Sequence, residues 1–168
     1  FNPSEYKKTF TYYESKDGTM VPLTYFHRKD VELNSETPVF LYGYGGYNIS
    51  IRPSFSRKYV GWLELGGVVA IANLRGGGEL GKKWHNAGRL KDKQNVFDDF
   101  LYASKYLETE GVGNRKSTVI SGRSNGGLLV GTSLVQNPNY FGATLPAVGV
   151  LDMLRFTEFT EGWGWRGD

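Results

Sequence analysis

The chain has no cysteine, only two histidines, and no apolar run approaching the about 20 residues a membrane-spanning helix needs. The missing cysteine excludes disulfides, thiolate catalysis and Cys-ligated zinc. Neither a metal nor an organic cofactor is called for. No stretch recurs at the spacing of solenoid repeats. There is also no excess of one charge sign. Twenty basic and 17 acidic residues leave a net charge of +3, and the basic ones lie interleaved with acids, as in GKKWH and RLKDK. They read as a solvated surface rather than a nucleic-acid stripe, and no nucleic-acid or membrane partner is expected. The opening FNPSEYKKTF lacks the pattern of a secretory leader, and together with the missing cysteine this reads as cytoplasmic. Asn48 in NIS matches a glycosylation acceptor, a triplet that is common by chance and needs a secretory route.

What is present is a globular composition in which 39% of residues are hydrophobic, enough to bury a core at 168 residues. KTFTYYESKDGTMVPLTYFHR reads as two strands joined at Asp17-Gly18. VFLY, VVAIANL, STVIS and ATLPAVG read as further strands, mostly apolar throughout. Helices are expected over SFSRKYVGWLELGG, over DKQNVFDDFLYASKYLETEG and over NGGLLVGTSLVQNP. In the second of these, Val96, Phe100, Ala103 and Leu107 recur at helical spacing and Gly111 supplies a stop. Apolar strands alternating with helices predict one α/β domain with a mostly parallel sheet, helices on both faces and an antiparallel hairpin at the N-terminal edge.

Three glycine-rich loops compete for chemistry. Gly122-Arg123-Ser124-Asn125-Gly126 is G-x-S-x-G between a predicted strand and a predicted helix, the context of a nucleophile elbow. There the serine oxygen projects above the sheet, the glycines admit close backbones, and the N–H of Asn125 faces a developing oxyanion. The alternative is an ordinary serine in a glycine-rich turn. Gly76-x-Gly78-x-x-Gly81 matches a dinucleotide fingerprint, with Asp98 and Asp99 near the expected acidic position. That fingerprint needs a helix to open at once, and KKWHNAGRL with its internal Gly88 reads as a loop. LYGYGGYN ends a strand in glycines and tyrosines, and the hydroxyl of Tyr44 is a neutral donor suited to an oxyanion. The alternative there is a tight turn with surface tyrosines.

LYGYGGYNIS, ANLRGGGELGKKWH, KQNVFDDF and SGRSNGGLLVG, in this order, resemble the catalytic domain of the prolyl oligopeptidase family. The likeness begins at YYESKDGTMVP and covers nearly the whole chain. It implies an α/β-hydrolase fold and a serine peptidase that cuts short peptides on the carboxyl side of proline. Carried onto this sequence, it implies Ser124 as nucleophile, with the Asn125 N–H and the Tyr44 hydroxyl as oxyanion hole. Trp165 in EGWGWRGD would stack on the substrate proline, with Tyr47 and Val150 as further walls of the pocket.

The sequence also departs from that pattern. Arg123 stands where the family usually has glycine, and G-R-S is more like the related oligopeptidase B, which cleaves after basic residues. Glu158 and Glu161 would then be acids lining a basic-residue pocket, whereas Asn125 and the G-Y-G-G-Y-N loop favour proline. After Ser124 the chain offers Asp152 and Asp168 but no histidine, since His27 and His85 both precede it. The expectation is therefore a partial catalytic domain over 1–168, carrying nucleophile and oxyanion hole without the triad aspartate and histidine, and largely inactive by itself. The rest of that domain and a β-propeller are expected in the full protein. Two rival readings are a hydrolase-like binding module that no longer reacts and a nucleotide-binding oxidoreductase built on the Gly76 loop.

Overall fold

The structure is a computed structural model that describes residues 2–168. A six-stranded sheet has the order β1-β2-β4-β3-β5-β6. Its strands are β1 (Tyr6–Glu14), β2 (Met20–Arg28), β3 (Val39–Tyr42), β4 (Val68–Ala72), β5 (Thr118–Arg123) and β6 (Ala143–Ala147). β1 and β2 form the expected hairpin, and β2 lies antiparallel on β4. β4, β3, β5 and β6 run parallel. The hairpin turns where Asp17-Gly18 places it: Gly18 takes φ 84°, and the Ser15 N–H donates to the Thr19 carbonyl at 2.8 Å.

Four helices connect the strands: α1 (Arg57–Glu64), α2 (Lys82–Asn86), α3 (Gln94–Thr109) and α4 (Asn125–Gln136). Strand side chains alternate between the two faces, and this divides the core. Val39, Leu41, Val68, Ala70 and Ile120 share one buried cluster with Val96, Phe100, Ala103 and Leu107 of α3 and Leu129 of α4. Phe40 points the other way, with its ring 5.6 Å from Trp62 and 5.9 Å from Tyr59 of α1. Helices thus cover both faces. Two helices stop at a glycine in the left-handed region: Gly66 (φ 82°) after α1 and Gly111 (φ 72°) after α3. Beyond Gly111 the Val112 N–H closes back on the Leu107 carbonyl at 2.8 Å.

Two sequence expectations need amending. KKWHN is helical, though α2 is a single short turn that buries Trp84 and is not the long helix of a dinucleotide site. β6 is an edge strand with mostly exposed residues rather than a buried one.

One buried ionic cluster ties three segments together. The Arg75 guanidinium, 4% exposed, sits on the wholly buried Asp99 carboxylate of α3 with N···O as short as 2.5 Å. It also reaches Asp17 in the hairpin turn at 2.5 Å, while the Ser15 hydroxyl donates to Asp99 at 2.5 Å. Removing one partner of such a pair strands a buried charge, which costs about 3–5 kcal/mol. Arg75→Met should lower unfolding stability by that amount, measured by urea denaturation at neutral pH. Arg75 also holds the Asp17 carboxyl down at about 2, from 3.8. Because the folded value lies below the unfolded one, this link is intact above 3.8 and is lost as pH falls toward about 2. The stability gap between wild type and Asp17→Asn should be constant above that window and close within it.

Candidate active site

The site begins where β5 ends. Ser124 takes φ 58° and ψ −116°, a backbone region that L-residues rarely enter, and it is the N-cap of α4. The turn is held from both sides. The Ser124 N–H donates to the Ala147 carbonyl at the end of β6 at 2.9 Å, and the Ser124 carbonyl accepts from Gly127 N–H at 2.8 Å. The neighbouring glycines are required by space. A Cβ on Gly122 would stand 2.1 Å from the Gly126 carbonyl oxygen, and one on Gly126 would stand 2.7 Å from the Gly43 carbonyl oxygen. Closely packed backbone therefore surrounds a serine whose own side chain is exposed.

Gly43 ends β3, and Tyr44 follows it. Burial raises the pKa of the Tyr44 phenol, and the Ser124 hydroxyl nearby acts in the opposite sense. The Tyr44 carbonyl accepts from the Asn125 side-chain amide at 2.7 Å. Asn125 opens α4, where backbone N–H groups have no partner within the helix and the helix dipole favours negative charge. Asn125 thus adjoins Ser124 in the chain, and Tyr44 lies near it in space. Tyr47 is pushed up to about 12, first by burial and then by the Asp168 carboxylate, so it too stays a neutral phenol.

A cavity of about 530 Å³ opens beside the serine and is lined by Tyr44, Tyr47, Ser124, Asn125, Val150 and Trp165. All six sequence candidates therefore border one space. Val150 arrives there because Gly127 lets the 147–149 backbone approach α4, where a Cβ would stand 2.6 Å from the Gly149 Cα. Trp165 is 37% exposed and Trp163 is 68% exposed; neither is a core aromatic, and only Trp165 lines the cavity. Glu158 and Glu161 are exposed and do not line it; the carboxylate that does is Asp168.

Other candidates lie elsewhere. His27 is buried in β2, with its Nδ1 2.8 Å from the Arg28 carbonyl oxygen. His85 Nδ1 bonds the Gly76 carbonyl at 2.8 Å, outside the cavity lining. Asp152 pairs with Arg155 at 2.6 Å. The Gly76 loop packs on the Tyr44 loop: a Cβ on Gly76 would stand 2.6 Å from the Gly45 carbonyl oxygen, and one on Gly78 2.4 Å from that of Asn48. Those glycines therefore serve loop-to-loop packing, and the acids once matched to a ribose partner are engaged, Asp99 by Arg75 and Asp98 by Lys16.

The sequence reading missed Phe97, Phe156, Met153 and Lys93, all of which line the cavity. Phe97 sits beside the core position Val96 on α3, a place where helical periodicity predicts no partner. In the sequence Lys93, within RLKDK, reads as part of the scattered surface charge. Among the described residues no group of three or more His, Cys, Asp or Glu is placed to hold a metal.

Comparison with known proteins fits this geometry. A profile of the prolyl oligopeptidase family matches residues 53–167. The chain is 46% identical over 168 residues to a prolyl endopeptidase of Elizabethkingia meningoseptica, covering all of this chain and 24% of that protein. It is 44% identical over 171 residues to a prolyl endopeptidase of Dictyostelium discoideum, covering 22% of it. Among solved structures, a post-proline cleaving enzyme from Rickettsia typhi matches all of this chain with 24% of its own, at TM-score 0.97 and 35% identity. A structure from a mechanistic study of two prolyl endopeptidases matches 98% of this chain with 24% of its own, at TM-score 0.96 and 49% identity. The chain spans about a quarter of the length of these relatives. The fold is thus that of an α/β-hydrolase domain. Within that class, the chain belongs to the prolyl oligopeptidase family.

The strain at Ser124 has a measurable consequence. Glycine enters positive φ freely, whereas alanine keeps the penalty of about 1–3 kcal/mol. Ser124→Gly should be more stable than Ser124→Ala by about 1 kcal/mol or more in paired chemical denaturation, the reverse of the order expected in an ordinary helix or strand.

Proposed function

We propose that this chain carries the nucleophile and oxyanion hole of a serine peptidase that cleaves short peptides after proline. The observation that carries the reading is the strained Ser124 at the N-terminus of α4, facing a cavity that Tyr44 and Trp165 also line. The names of the relatives, prolyl endopeptidases and a post-proline cleaving enzyme, support the choice of substrate.

In this mechanism the Ser124 Oγ attacks the carbonyl carbon of a prolyl residue while its proton passes to a histidine. Neither His27 nor His85 lines the cavity, so that histidine and its aspartate are assigned to the part of the full-length enzyme outside this chain. The carbonyl oxygen becomes an oxyanion, stabilised by the Asn125 N–H and the Tyr44 hydroxyl. Collapse expels the amine, which takes the proton from the histidine, and leaves an acyl group on Ser124. Water then hydrolyses the ester by the same steps in reverse order.

Selectivity rests on shape. Proline offers a flat apolar ring and no N–H, so a large ring face selects it better than hydrogen bonds can. Trp165 supplies that face, with Tyr47 and Val150 as flanking walls. The absence of Glu158 and Glu161 from the cavity weighs against cleavage after basic residues.

A serine-directed phosphonate should label the full-length enzyme at Ser124, and Ser124→Ala should abolish both labelling and turnover. Failure of the wild type to label would return the chain to a hydrolase-like binding module, and labelling retained in Ser124→Ala would move the nucleophile to another residue. The loss of an apolar pocket contact is worth about 1–3 kcal/mol of transition-state binding. Trp165→Ala should therefore lower kcat/KM for prolyl substrates by about 5–150-fold, against little change for Trp163→Ala.

A further inference from the structure

Lys93 stands in a place that local physics disfavours. It is the N-cap of α3, where the helix dipole repels a cation, and its side chain is only 17% exposed. What it touches accounts for its being there. Its ammonium donates to the Asn125 side-chain oxygen at 3.2 Å and to the Gly45 carbonyl at 3.4 Å. Asn125 begins α4, and Gly45 directly follows Tyr44, so these contacts fall on the two separate elements that carry the proposed oxyanion donors. The Asn125 amide already spans the same gap in the other direction through its bond to the Tyr44 carbonyl.

The charge is balanced locally. Asp168 lies 3.6 Å from the Lys93 ammonium, and its carboxylate also accepts from the Tyr47 N–H at 2.6 Å. The carboxylate therefore holds the far end of the same loop. Gly46, between the two, has no room for a side chain: a Cβ would stand 2.5 Å from the Asn125 amide nitrogen and 2.9 Å from the Asp168 oxygen.

We propose that Lys93 is a positioning residue for the oxyanion hole, a buried cation that locks the Tyr44–Tyr47 loop to the start of α4 so that the two donors keep a fixed separation. It does not touch the reacting atoms. Its effect passes through Asn125 and the loop backbone, and this inference rests on the oxyanion-hole reading given above. A donor displaced by about 1 Å can cost about 100-fold in rate, because such groups work only when preorganised.

The test uses the full-length enzyme and compares Lys93→Met, Lys93→Gln and Ser124→Ala on one prolyl substrate. Active sites are counted by phosphonate labelling, so that misfolded protein does not enter the rate. Lys93→Met should lower kcat per labelled site by about 10–100-fold with KM changed less than about 3-fold. It should also weaken a peptidyl prolinal, whose tetrahedral adduct uses the hole, far more than a product peptide that does not. Lys93→Gln, which keeps a donor, should recover part of both losses and covers the case in which the methionine variant does not fold. A purely structural lysine would reduce the number of labelled sites and leave kcat per site and the aldehyde-to-product ratio unchanged, and that result would overturn the proposal. If Ser124→Ala retains turnover, the oxyanion-hole reading fails first; if Ser124→Ala is dead and both Lys93 variants turn over like wild type, only the role of Lys93 fails.

Discussion

At the carboxyl ends of β3 and β5, three stretches of backbone approach more closely than any side chain allows. Gly43, Gly122 and Gly126 meet there, with Gly127 against Gly149 just behind them. Everything at the site follows from that contact. It lets α4 start directly over the sheet, puts Ser124 on a turn it would not adopt unaided, and brings Tyr44 alongside. A single Cβ in this group would push α4 away from β3 and separate the serine from the tyrosine. The constraint is steric and local, but its consequence is a strained turn that carries Ser124 at the edge of the cavity.

The loops that complete the site are held by charge rather than by apolar packing. Arg75, Asp99 and Asp17 bind the loop after β4 to α3 and to the hairpin turn. Through Gly76 that loop in turn supports the backbone next to Tyr44. Lys93 and Asp168 act on the other side of the same segment. Buried ion pairs are poor sources of net stability, but they specify one geometry, because any other leaves a charge uncompensated.

Much of this was legible in the sequence because it rests on local rules. The apolar strands, the helical spacing of Val96, Phe100, Ala103 and Leu107, and the stop at Gly111 need no knowledge of the rest of the chain. G-x-S-x-G was readable for the same reason, since strand, turn and helix are contiguous around Ser124. What could not be read depends on contacts distant in sequence. Lys93 looks like one more surface lysine until Asn125 and Asp168 are seen beside it. Phe97 looks surplus to α3 until the cavity is present. The Gly76 loop imitates a phosphate-binding turn because close backbone approach demands glycine whether the approaching group is a pyrophosphate or another loop. Arg123 in G-R-S suggested a basic-residue pocket lined by Glu158 and Glu161, yet 3-10 turns over Phe156–Glu158 and Thr160–Trp165 leave both exposed.

The central claim is that Ser124 forms a covalent bond while the Asn125 N–H and the Tyr44 hydroxyl take the charge. A crystal structure of the full-length enzyme treated with a peptidyl prolinal addresses it directly. The account predicts a tetrahedral carbon bonded to the Ser124 Oγ, its oxygen within about 2.7–3.1 Å of both donors, and the proline ring on the face of Trp165. An adduct oxygen pointing away from Tyr44, or an aldehyde bound without a bond to Ser124, would contradict it.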